Sequence, residues 1–261
     1  MSRFDGRSVI VTGGAKGIGG AICTAFAEEG ARVVCADVDT VAGEALAAGA
    51  PSAGEIRFQR ADVSKAAECD ALVAATVEAC GGVDILCNNV GIQPTDSYLP
   101  LHEVSDEAWD RIIDVNLKSF FLMSRPCLGH MIKAGNGVII NTASVQGLQS
   151  AKGVPAYAAS KGAILSLTRQ MALDYAEHGI RVLAVNPGTI DTPLVDEALE
   201  AIGGDEQAIR ASMSACAPMN RIGQPAEIAR VVLFMASEDA SFMTGESVCV
   251  DGGLMARGSW G

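Results

Sequence analysis

Tyr157 and Lys161 are four residues apart in the stretch PAYAASKGA (155–163). On a helix this spacing places both side chains on one face, one turn apart. Two interpretations are open: a packed tyrosine beside a solvated lysine, or a phenol held near a cation so that it can exchange a proton. An ammonium ~4 Å away is worth about 4 kcal/mol at an effective dielectric constant of ~20, which is at most ~3 pKa units. We therefore expect Lys161 to lower the Tyr157 pKa toward neutral, as a base requires.

Ser144 stands upstream of this pair, directly after the apolar run GVIINTA (137–143). The run is typical of a buried strand, so Ser144 is expected at its carboxyl end. A hydroxyl there could bond a substrate oxygen and stabilise its developing charge. As an alternative, it could cap the turn after the strand. Together the three side chains suit proton exchange at an alcohol or carbonyl, with a cofactor that accepts or supplies the hydride.

Short β-branched runs alternate with helical patterns along the chain. We predict strands at 8–12, 32–37, 56–60, 84–89, 137–143, 181–186 and 247–251. A helical pattern begins at 18 and stops before Gly30, and others occupy 66–80, 106–134, 157–178 and 225–236. This alternation is typical of parallel strands covered on both faces. The sequence therefore predicts one doubly wound α/β domain over 1–261, with about seven strands. Within it, 190–224 has no clear strand and is expected to form a loop and helix region that covers the substrate.

The segment TGGAKGIG (12–19) links the first predicted strand to the first helix. Gly13, Gly17 and Gly19 have the spacing G-x-x-x-G-x-G, and Lys16 and Ile18 lie between them. Glycine lets the backbone turn sharply and approach a pyrophosphate, which contacts N–H groups at the helix start. In this context the motif predicts a Rossmann-type dinucleotide site rather than a simple loop closure.

Asp37, at the end of the second predicted strand, bears on which dinucleotide binds. A carboxylate there can accept hydrogen bonds from the adenosine ribose and would repel a 2′-phosphate. Val38 follows it and no arginine is near, so we predict NAD, with NADP less favoured. Lys16 is a cation that could favour a phosphate, and Asp37 could instead cap the turn ADVD. Asp62 and Val63 are expected to border the adenine or, alternatively, to cap the next helix.

Composition and charge exclude several classes of partner. The net charge is −12, and an acidic surface repels polyanions, so we expect neither nucleic acid nor a membrane as a partner. No apolar run reaches the ~18 residues that span a bilayer, and the N-terminus lacks a signal-peptide core, so we expect a cytoplasmic protein. The eight cysteines are scattered without a C-x-x-C pair, and the three histidines lie far apart. We therefore expect buried, reduced thiols and no metal site.

These motifs, in this order, resemble the short-chain dehydrogenases/reductases of the classical type over essentially the whole chain. The similar segments are TGGAKGIG, NNVG (88–91), VNLKS with Asn116, NTAS ending in Ser144, YAASK with Tyr157 and Lys161, NPGTIDT (186–192) and VDGG. Two positions depart from the family pattern. Val90 stands where alanine is usual, and Gly20 should weaken the first helix by a few tenths to ~1 kcal/mol.

The resemblance implies roles for individual residues. The catalytic set would be Asn116, Ser144, Tyr157 and Lys161, with Asn116 holding a water that links Lys161 to solvent. Tyr157 and Lys161 would also contact the cofactor, together with Asn89, Gly91, Pro187, Gly188, Ile190 and Thr192. Ile190 or the nearby threonine hydroxyls would bond the nicotinamide carboxamide, and Thr192 could instead contact the pyrophosphate. Alternatively, Pro187 and Gly188 only break the strand. The resemblance also implies a homotetramer with helices 106–134 and 157–178 at its interfaces.

Three segments are expected to meet a small alcohol or carbonyl substrate: the loop after 91, 145–155 and 190–224. Their amides Gln93, Gln146 and Gln149, beside Ser144 and Tyr157, suit a hydroxyl-rich molecule, although surface glutamines would give the same pattern. The stretch 190–210 has six acidic residues and one base, which disfavours a strongly anionic substrate. Residues 190–224 include no aromatic side chain, which disfavours a flat polycyclic substrate. We therefore favour a sugar or polyol.

Three functions are compatible with these motifs. The favoured one is an NAD-dependent dehydrogenase that acts on a small secondary alcohol. The second is an NADPH-dependent reductase of the 3-oxoacyl-carrier-protein type, against which Asp37 and the acidic surface argue. The third is a non-enzymatic NAD-binding sensor, which would have no need of Ser144, Tyr157 and Lys161.

Overall fold

Continuous apolar segments form the strands of the chain. The computed structural model describes residues 2–258, without the side chains of residues 201 and 202, so both ends of the predicted domain 1–261 lie outside the described residues. The strands are β1 (Ser8–Thr12), β2 (Arg32–Asp37), β3 (Glu55–Arg60), β4 (Ile85–Asn88), β5 (Gly137–Thr142), β6 (Ile180–Pro187) and β7 (Ser247–Val250). They form one parallel sheet in the order β3-β2-β1-β4-β5-β6-β7. This order confirms the predicted doubly wound sheet.

Helices connect the strands and cover both faces of the sheet. They are α1 (Gly17–Glu28), α2 (Thr40–Ala48), α3 (Ala66–Cys80), α4 (Asp106–Ile113), α5 (Ser119–Ala134), α6 (Pro155–Tyr175), α7 (Pro193–Ile202), α8 (Glu206–Cys216) and α9 (Pro225–Ala236). The predicted helix 106–134 is α4 and α5, joined by a π-helical turn at Asp114–Lys118. Helix α6 begins two residues earlier than predicted because proline is favourable at the first helical position. None of the helices in residues 2–258 is long and apolar enough to cross a membrane.

Alternate residues of each strand pack against opposite helical layers. Val9 and Val11 lie in one core with Phe26 of α1, whereas Ile10 lies in the other core with Leu72 of α3. Side chains alternate across a strand, so both faces of β1 are buried. This is why the central strands are continuous apolar runs instead of alternating patterns.

Helix α2 is absent from the sequence prediction. Asp39 caps it, with a carboxylate oxygen that accepts a hydrogen bond from the Ala42 N–H at 3.0 Å. Gly43 packs on the ring of Phe58, where a Cβ would lie 2.1 Å from a ring carbon. The helix packs on the core through Ala42, Gly43, Leu46 and Ala47, so its buried face consists mainly of small residues and gives only a weak helical periodicity.

The strand order reverses between β1 and β4. In a doubly wound sheet, ligands bind outside the carboxyl ends of the strands at such a point. The glycine turn follows β1, the loop beginning at Asn89 follows β4, Ser144 follows β5, and the segment from Gly188 follows β6. The topology therefore brings the predicted cofactor and catalytic segments to one edge of the sheet.

Two further expectations concern thiols and metals. Six of the eight cysteines are buried, whereas Cys216 and Cys249 are exposed. Within residues 2–258, no group of three or more His, Cys, Asp or Glu side chains is placed to hold a metal ion.

Candidate active site

The carboxyl end of β5 and the first turns of α6 bring three predicted catalytic side chains together. Ser144 follows β5, and its Oγ accepts a hydrogen bond from the Gln146 N–H at 3.1 Å. Tyr157 and Lys161 lie on the buried face of α6, with 8% and 3% of their surfaces exposed. The Ser144 hydroxyl is placed to hydrogen-bond an ionised Tyr157. The three side chains therefore occupy one site.

The ammonium of Lys161 is held by the backbone and by aromatic faces. Its Nζ donates to the Thr142 carbonyl at 3.0 Å, at the end of β5. It lies 5.5 Å from the centroid of the Tyr157 ring and 5.9 Å from that of Phe120, which is cation–π geometry. A Cβ on Gly91 would lie 3.3 Å from the same Nζ, so the loop after β4 passes against the lysine. Lys161 thus connects α6, β5 and this loop.

Asn116 lies in the π-helical turn and is fully buried. Its Oδ1 accepts from the Ile92 N–H at 2.7 Å and its Nδ2 donates to the Ile92 carbonyl at 2.9 Å. The Nδ2 also lies 3.5 Å from the Ser160 Oγ, which donates to the Tyr157 carbonyl at 2.7 Å. Asn116 therefore clamps the loop after β4 and contacts the helix that carries Tyr157. Its role in holding a water stays a prediction.

The pKa shifts of the tyrosine and lysine differ from the sequence prediction. Burial raises the pKa of Tyr157 to about 12, and a hydrogen bond from Ser144 to the ionised phenol opposes this rise. Burial lowers the pKa of Lys161 to about 8. The predicted lowering of the Tyr157 pKa is therefore wrong for this structure, because burial of the phenol disfavours its ionised form more than the Ser144 hydrogen bond favours it.

The glycine turn after β1 has a backbone that requires glycine. Gly13 and Gly17 have φ of +61° and +53°, in the left-handed region. A Cβ on Gly19 would lie 1.9 Å from the Gly13 carbonyl oxygen, so no side chain fits there. Asn89 fastens the turn, since its Nδ2 donates to the carbonyls of Thr12 at 3.2 Å and Gly13 at 3.1 Å. The turn is thus a fixed cradle of backbone atoms.

The start of α1 is open toward this cradle. Lys16 is its N-cap residue, and no side chain in the part of the chain that the structure describes caps the first N–H groups. Such N–H groups and the helix dipole suit a pyrophosphate, so the residues fit the predicted dinucleotide. Ile18 anchors the helix start by packing on the core. The Lys16 Nζ lies 2.6 Å from the Asp39 carboxylate, so its charge is already compensated and argues less for NADP.

Asp37 ends β2 beside the glycine turn, and Val38 after it is exposed. One oxygen of the Asp37 carboxylate accepts from the Ala15 N–H, the other from the Asp39 N–H, both at 3.0 Å. The turn-capping alternative is therefore present in the structure. It leaves lone pairs on both oxygens, so contact with an adenosine ribose stays a compatible prediction.

Asp62 and Val63 follow β3. The Asp62 Oδ1 accepts from the Ser64 N–H at 3.1 Å and its hydroxyl at 2.6 Å, and Oδ2 lies 3.0 Å from the Lys65 Nζ. The hydrogen bond from the Ser64 hydroxyl, together with those from Lys65 and the Ser64 N–H, holds the pKa of Asp62 below its usual value. Helix α3 has Lys65 as its N-cap residue, so the alternative in which Asp62 caps that helix is wrong. Val63 is buried, and a contact of this pair with adenine stays a prediction.

The segment after β6 runs beside the cradle. Pro187 ends the strand, and a Cβ on Gly188 would lie 2.8 Å from the Asp251 Cα, so glycine permits a close backbone approach there. Ile190 is buried and forms a parallel bridge with the backbone at 223. Thr192 is the N-cap residue of α7, and its Cγ2 would lie 3.2 Å from a Cβ on the facing Gly17. Of the predicted cofactor residues in this segment, Thr192 therefore borders the glycine turn, whereas Ile190 packs against residue 223.

Arg210 of α8 joins the parts of the region 190–224. Its three guanidinium nitrogens lie 3.1 Å from Asp191, 2.5 Å from Asp196 and 2.8 Å from Glu206. The carboxylates come from the segment after β6, from α7 and from α8, and they outnumber the guanidinium. Arg210 therefore fastens the segment after β6 to α7 and α8, and all three of its guanidinium nitrogens are paired with protein carboxylates.

The glutamines predicted to meet the substrate lie in different environments. Gln93 is 5% exposed, Gln146 is half-buried and Gln149 is exposed. Gln146 lines a cavity of about 460 Å³ between the segments 146–159 and 100–101. The lining of this cavity includes Gln146 and Ala158 but not Ser144 or Tyr157, so the cavity is adjacent to the predicted catalytic side chains and is not formed by them.

Sequence reasoning misses Tyr98, which follows the 3₁₀ turn Thr95–Ser97. Burial and then the charge of Glu197 raise the pKa of Tyr98, and Tyr98 in turn contributes to the raised pKa of Tyr157. The turn before it packs on α7. The sequence could have pointed to Tyr98, because it is an aromatic residue in the loop that is expected to meet the substrate.

Comparisons with known proteins agree with this arrangement. Residues 13–255 match a family described as enoyl-(acyl carrier protein) reductase. A cyclopentanol dehydrogenase of Comamonas sp. is 38% identical over 258 residues, which cover 98% of this chain and all of that protein. The solved structure of a levodione reductase superimposes with a TM-score of 0.94 at 34% identity, over 98% of this chain and 100% of the other. The ligand-free aldohexose dehydrogenase of Thermoplasma acidophilum superimposes with a TM-score of 0.88 at 36% identity, over 99% and 97%.

Proposed function

The chain belongs to the short-chain dehydrogenase/reductase family, and from this premise we propose that it is an NAD-dependent dehydrogenase that interconverts a small secondary alcohol and its carbonyl. A sugar or polyol is the favoured substrate. The observation that carries the proposal is the convergence of Ser144, Tyr157 and Lys161 at the sheet edge that also holds the glycine cradle. The named activities of the relatives, on cyclopentanol and aldohexoses, support an oxidoreductase that acts on CH–OH groups.

In this proposal each side chain has one task at a stated atom. The Ser144 Oγ donates to the reacting oxygen of the substrate. The Tyr157 hydroxyl exchanges the proton of that oxygen, and Lys161 stabilises its ionised form and contacts the cofactor ribose. Asn116 keeps the loop over Lys161 in place through its two bonds to Ile92. NAD, when bound, supplies the hydride acceptor and, in its oxidised form, a positive charge that favours the ionised tyrosine.

The glycine cradle and Asp37 would hold the dinucleotide. The cofactor contacts proposed besides them are Lys16, Ile18, Val38, Asp62, Val63, Asn89, Gly91, Pro187, Gly188, Ile190 and Thr192. The preference for NAD rests on the Asp37 carboxylate and on the pairing of Lys16 with Asp39. Titration of NADH and NADPH into the protein tests it, and tighter binding of NADPH would overturn it.

The activity itself is tested at 340 nm with NAD against sugars, polyols, aliphatic alcohols and polycyclic alcohols. We expect the largest kcat/KM for a sugar or polyol. If no alcohol reduces NAD although the protein binds NADH tightly, the result would favour the non-enzymatic sensor.

A second candidate is an NADPH-dependent reductase of the 3-oxoacyl-carrier-protein type; the description of the matching family names a reductase of an enoyl group on an acyl carrier protein, which supports a carrier-bound substrate but not this reaction itself. In that case the protein would reduce a thioester-linked 3-oxo group with NADPH. Turnover of a 3-oxoacyl thioester with NADPH that exceeds turnover of every sugar with NAD would establish it. Asp37, which would face a 2′-phosphate, argues against it.

We also propose a cytoplasmic homotetramer. Exposed apolar side chains on the outer faces of α5 and α6, among them Phe121 and Leu173, support interfaces through these helices. Light scattering after size-exclusion chromatography measures the oligomeric state. A monomeric mass would contradict the proposed tetramer.

A further inference from the structure

The loop that follows β4 is fixed at two points. Asn116 holds Ile92 by both backbone groups, at 2.7 and 2.9 Å. Four residues later, the Asp96 carboxylate accepts a hydrogen bond from the Arg111 guanidinium at 2.8 Å. The residue between these anchors, Gln93, is therefore carried by a backbone with little freedom to move.

Gln93 is buried without a partner for its donor. It is 5% exposed, and its Nε2 finds no hydrogen-bond acceptor anywhere in the described residues 2–258. Buried amide donors are nearly always paired in folded proteins, and an unpaired one is destabilising. An acceptor from outside the chain would explain the arrangement.

The position of Gln93 indicates which molecule would bring that acceptor. Gly91, two residues before it, lies against the Lys161 Nζ, and Tyr98, five residues after it, is close enough to Tyr157 to affect its pKa. The loop that carries Gln93 thus borders the catalytic side chains at both ends. A molecule bound there would place the atoms around its reacting carbon next to this loop.

We propose that Gln93 is a specificity-determining residue whose amide N–H donates to a second oxygen of the substrate, separate from the oxygen that reacts. The substrate class is then a neutral polyoxygenated alcohol, such as a diol, polyol or sugar, and a mono-alcohol would lack this hydrogen bond. A carboxylate as the second oxygen is disfavoured by the acidic residues of α7, including Glu197 near Tyr98. This inference rests on the proposed dehydrogenase function.

The test compares cyclohexanol with cyclohexane-1,2-, 1,3- and 1,4-diol, each with NAD. Four proteins are used: the natural chain, Gln93→Leu, Gln93→Met, and the control Gln170→Leu at an exposed glutamine of α6. We expect the natural chain to prefer at least one diol by about 10- to 100-fold in kcat/KM, because a mono-alcohol would leave the buried Gln93 donor unpaired. Gln93→Leu should lose that preference, with kcat/KM for cyclohexanol within about threefold of the natural value.

Two further measurements separate a loss of recognition from a loss of structure. Gln93→Met keeps the approximate length of the side chain but removes the donor, and it should lose the diol preference as well. Both variants should bind NADH as the natural chain does, and Gln93→Leu should unfold at no lower temperature, because it removes an unpaired donor. The control should keep the preference.

The outcomes distinguish the inference from the function on which it rests. If Gln93→Leu keeps the diol preference, or the natural chain turns over diols and cyclohexanol equally well, the inference is overturned and the dehydrogenase function stands. If the natural chain turns over no alcohol with either cofactor, the function is overturned and the inference with it.

Discussion

Replacement of Lys161 by Met should stabilise the fold while it removes a proposed catalytic group. Lys161 is 3% exposed, and burial lowers its pKa from 10.5 to about 8. This difference, 10.5 − 8 = 2.5 pKa units, corresponds to about 3 kcal/mol that the folded state loses by keeping the ammonium charged. Loss of the hydrogen bond from Nζ to the Thr142 carbonyl costs about 1 kcal/mol. The net gain should be about 2 kcal/mol, or roughly 4–8 °C in Tm.

The gain should depend on pH in one direction. The folded lysine has the lower pKa, so between about 8 and 10.5 the unfolded state binds more protons and the stability of the natural chain rises with pH. The penalty of burying the ammonium is complete below pH 8 and disappears as the pH approaches 10.5. The difference between Lys161→Met and the natural chain should therefore be largest at pH 6–7 and shrink above pH 8.

Urea unfolding followed by circular dichroism at pH 6.5, 8, 9 and 10 measures this difference. Lys152→Met is the matched control, because Lys152 is exposed and the substitution should change stability little at any of these values. A variant at Lys161 that is less stable than the natural chain at pH 6.5 would refute the reasoning. A stability difference that stays constant across the series would refute it as well.

Two other substitutions test the cofactor side of the site. Gly19→Ala places a Cβ 1.9 Å from the Gly13 carbonyl oxygen, so this variant should lose NADH binding as measured by fluorescence titration. The neighbouring Gly20→Ala is the control, because its Cβ would lie 3.4 Å from the nearest atom. It should bind NADH normally and unfold at an equal or higher temperature. Arg210→Gln leaves three carboxylates facing one another, so it should raise the KM for NAD several-fold with a smaller effect on kcat. Arg3→Gln, which breaks an exposed pair at 2.9 Å elsewhere, is its control, and equal NAD kinetics in both variants would contradict the fastening role.

The order of the elements and the location of the site could be predicted from local sequence. The runs at 8–12 and 32–37 are strands at those residues because buried parallel strands need continuous β-branched side chains. Gly13, Gly17 and Gly19 could be recognised because positive φ and close contact leave no other residue type. Helix α2 could not be predicted, since Gly43 and small alanines around Leu46 make its contact with the core and give little apolar contrast along the helix.

The energetics of the site could not be predicted, because they depend on how segments far apart in the chain pack together. The spacing of Tyr157 and Lys161 gives their proximity but not their burial, and burial reverses the expected direction of the tyrosine pKa. The carboxylates around Arg210 are distributed over sixteen positions from 191 to 206, so their convergence is a tertiary feature. The unpaired amide of Gln93 is likewise visible only once the loop is built.

The proposal that Tyr157 exchanges the substrate proton is tested most directly by Tyr157→Phe, which removes one hydroxyl from a buried ring. The measurement is kcat/KM for the best alcohol, followed at 340 nm from pH 6 to 10, together with NADH binding. In the natural chain the rate of alcohol oxidation should rise with pH, because Tyr157 must be ionised to act as a base and burial raises its pKa to about 12 in the free protein. Tyr157→Phe should lose turnover by at least 10²-fold at every pH while it binds NADH as the natural chain does. Normal turnover by Tyr157→Phe would contradict the account.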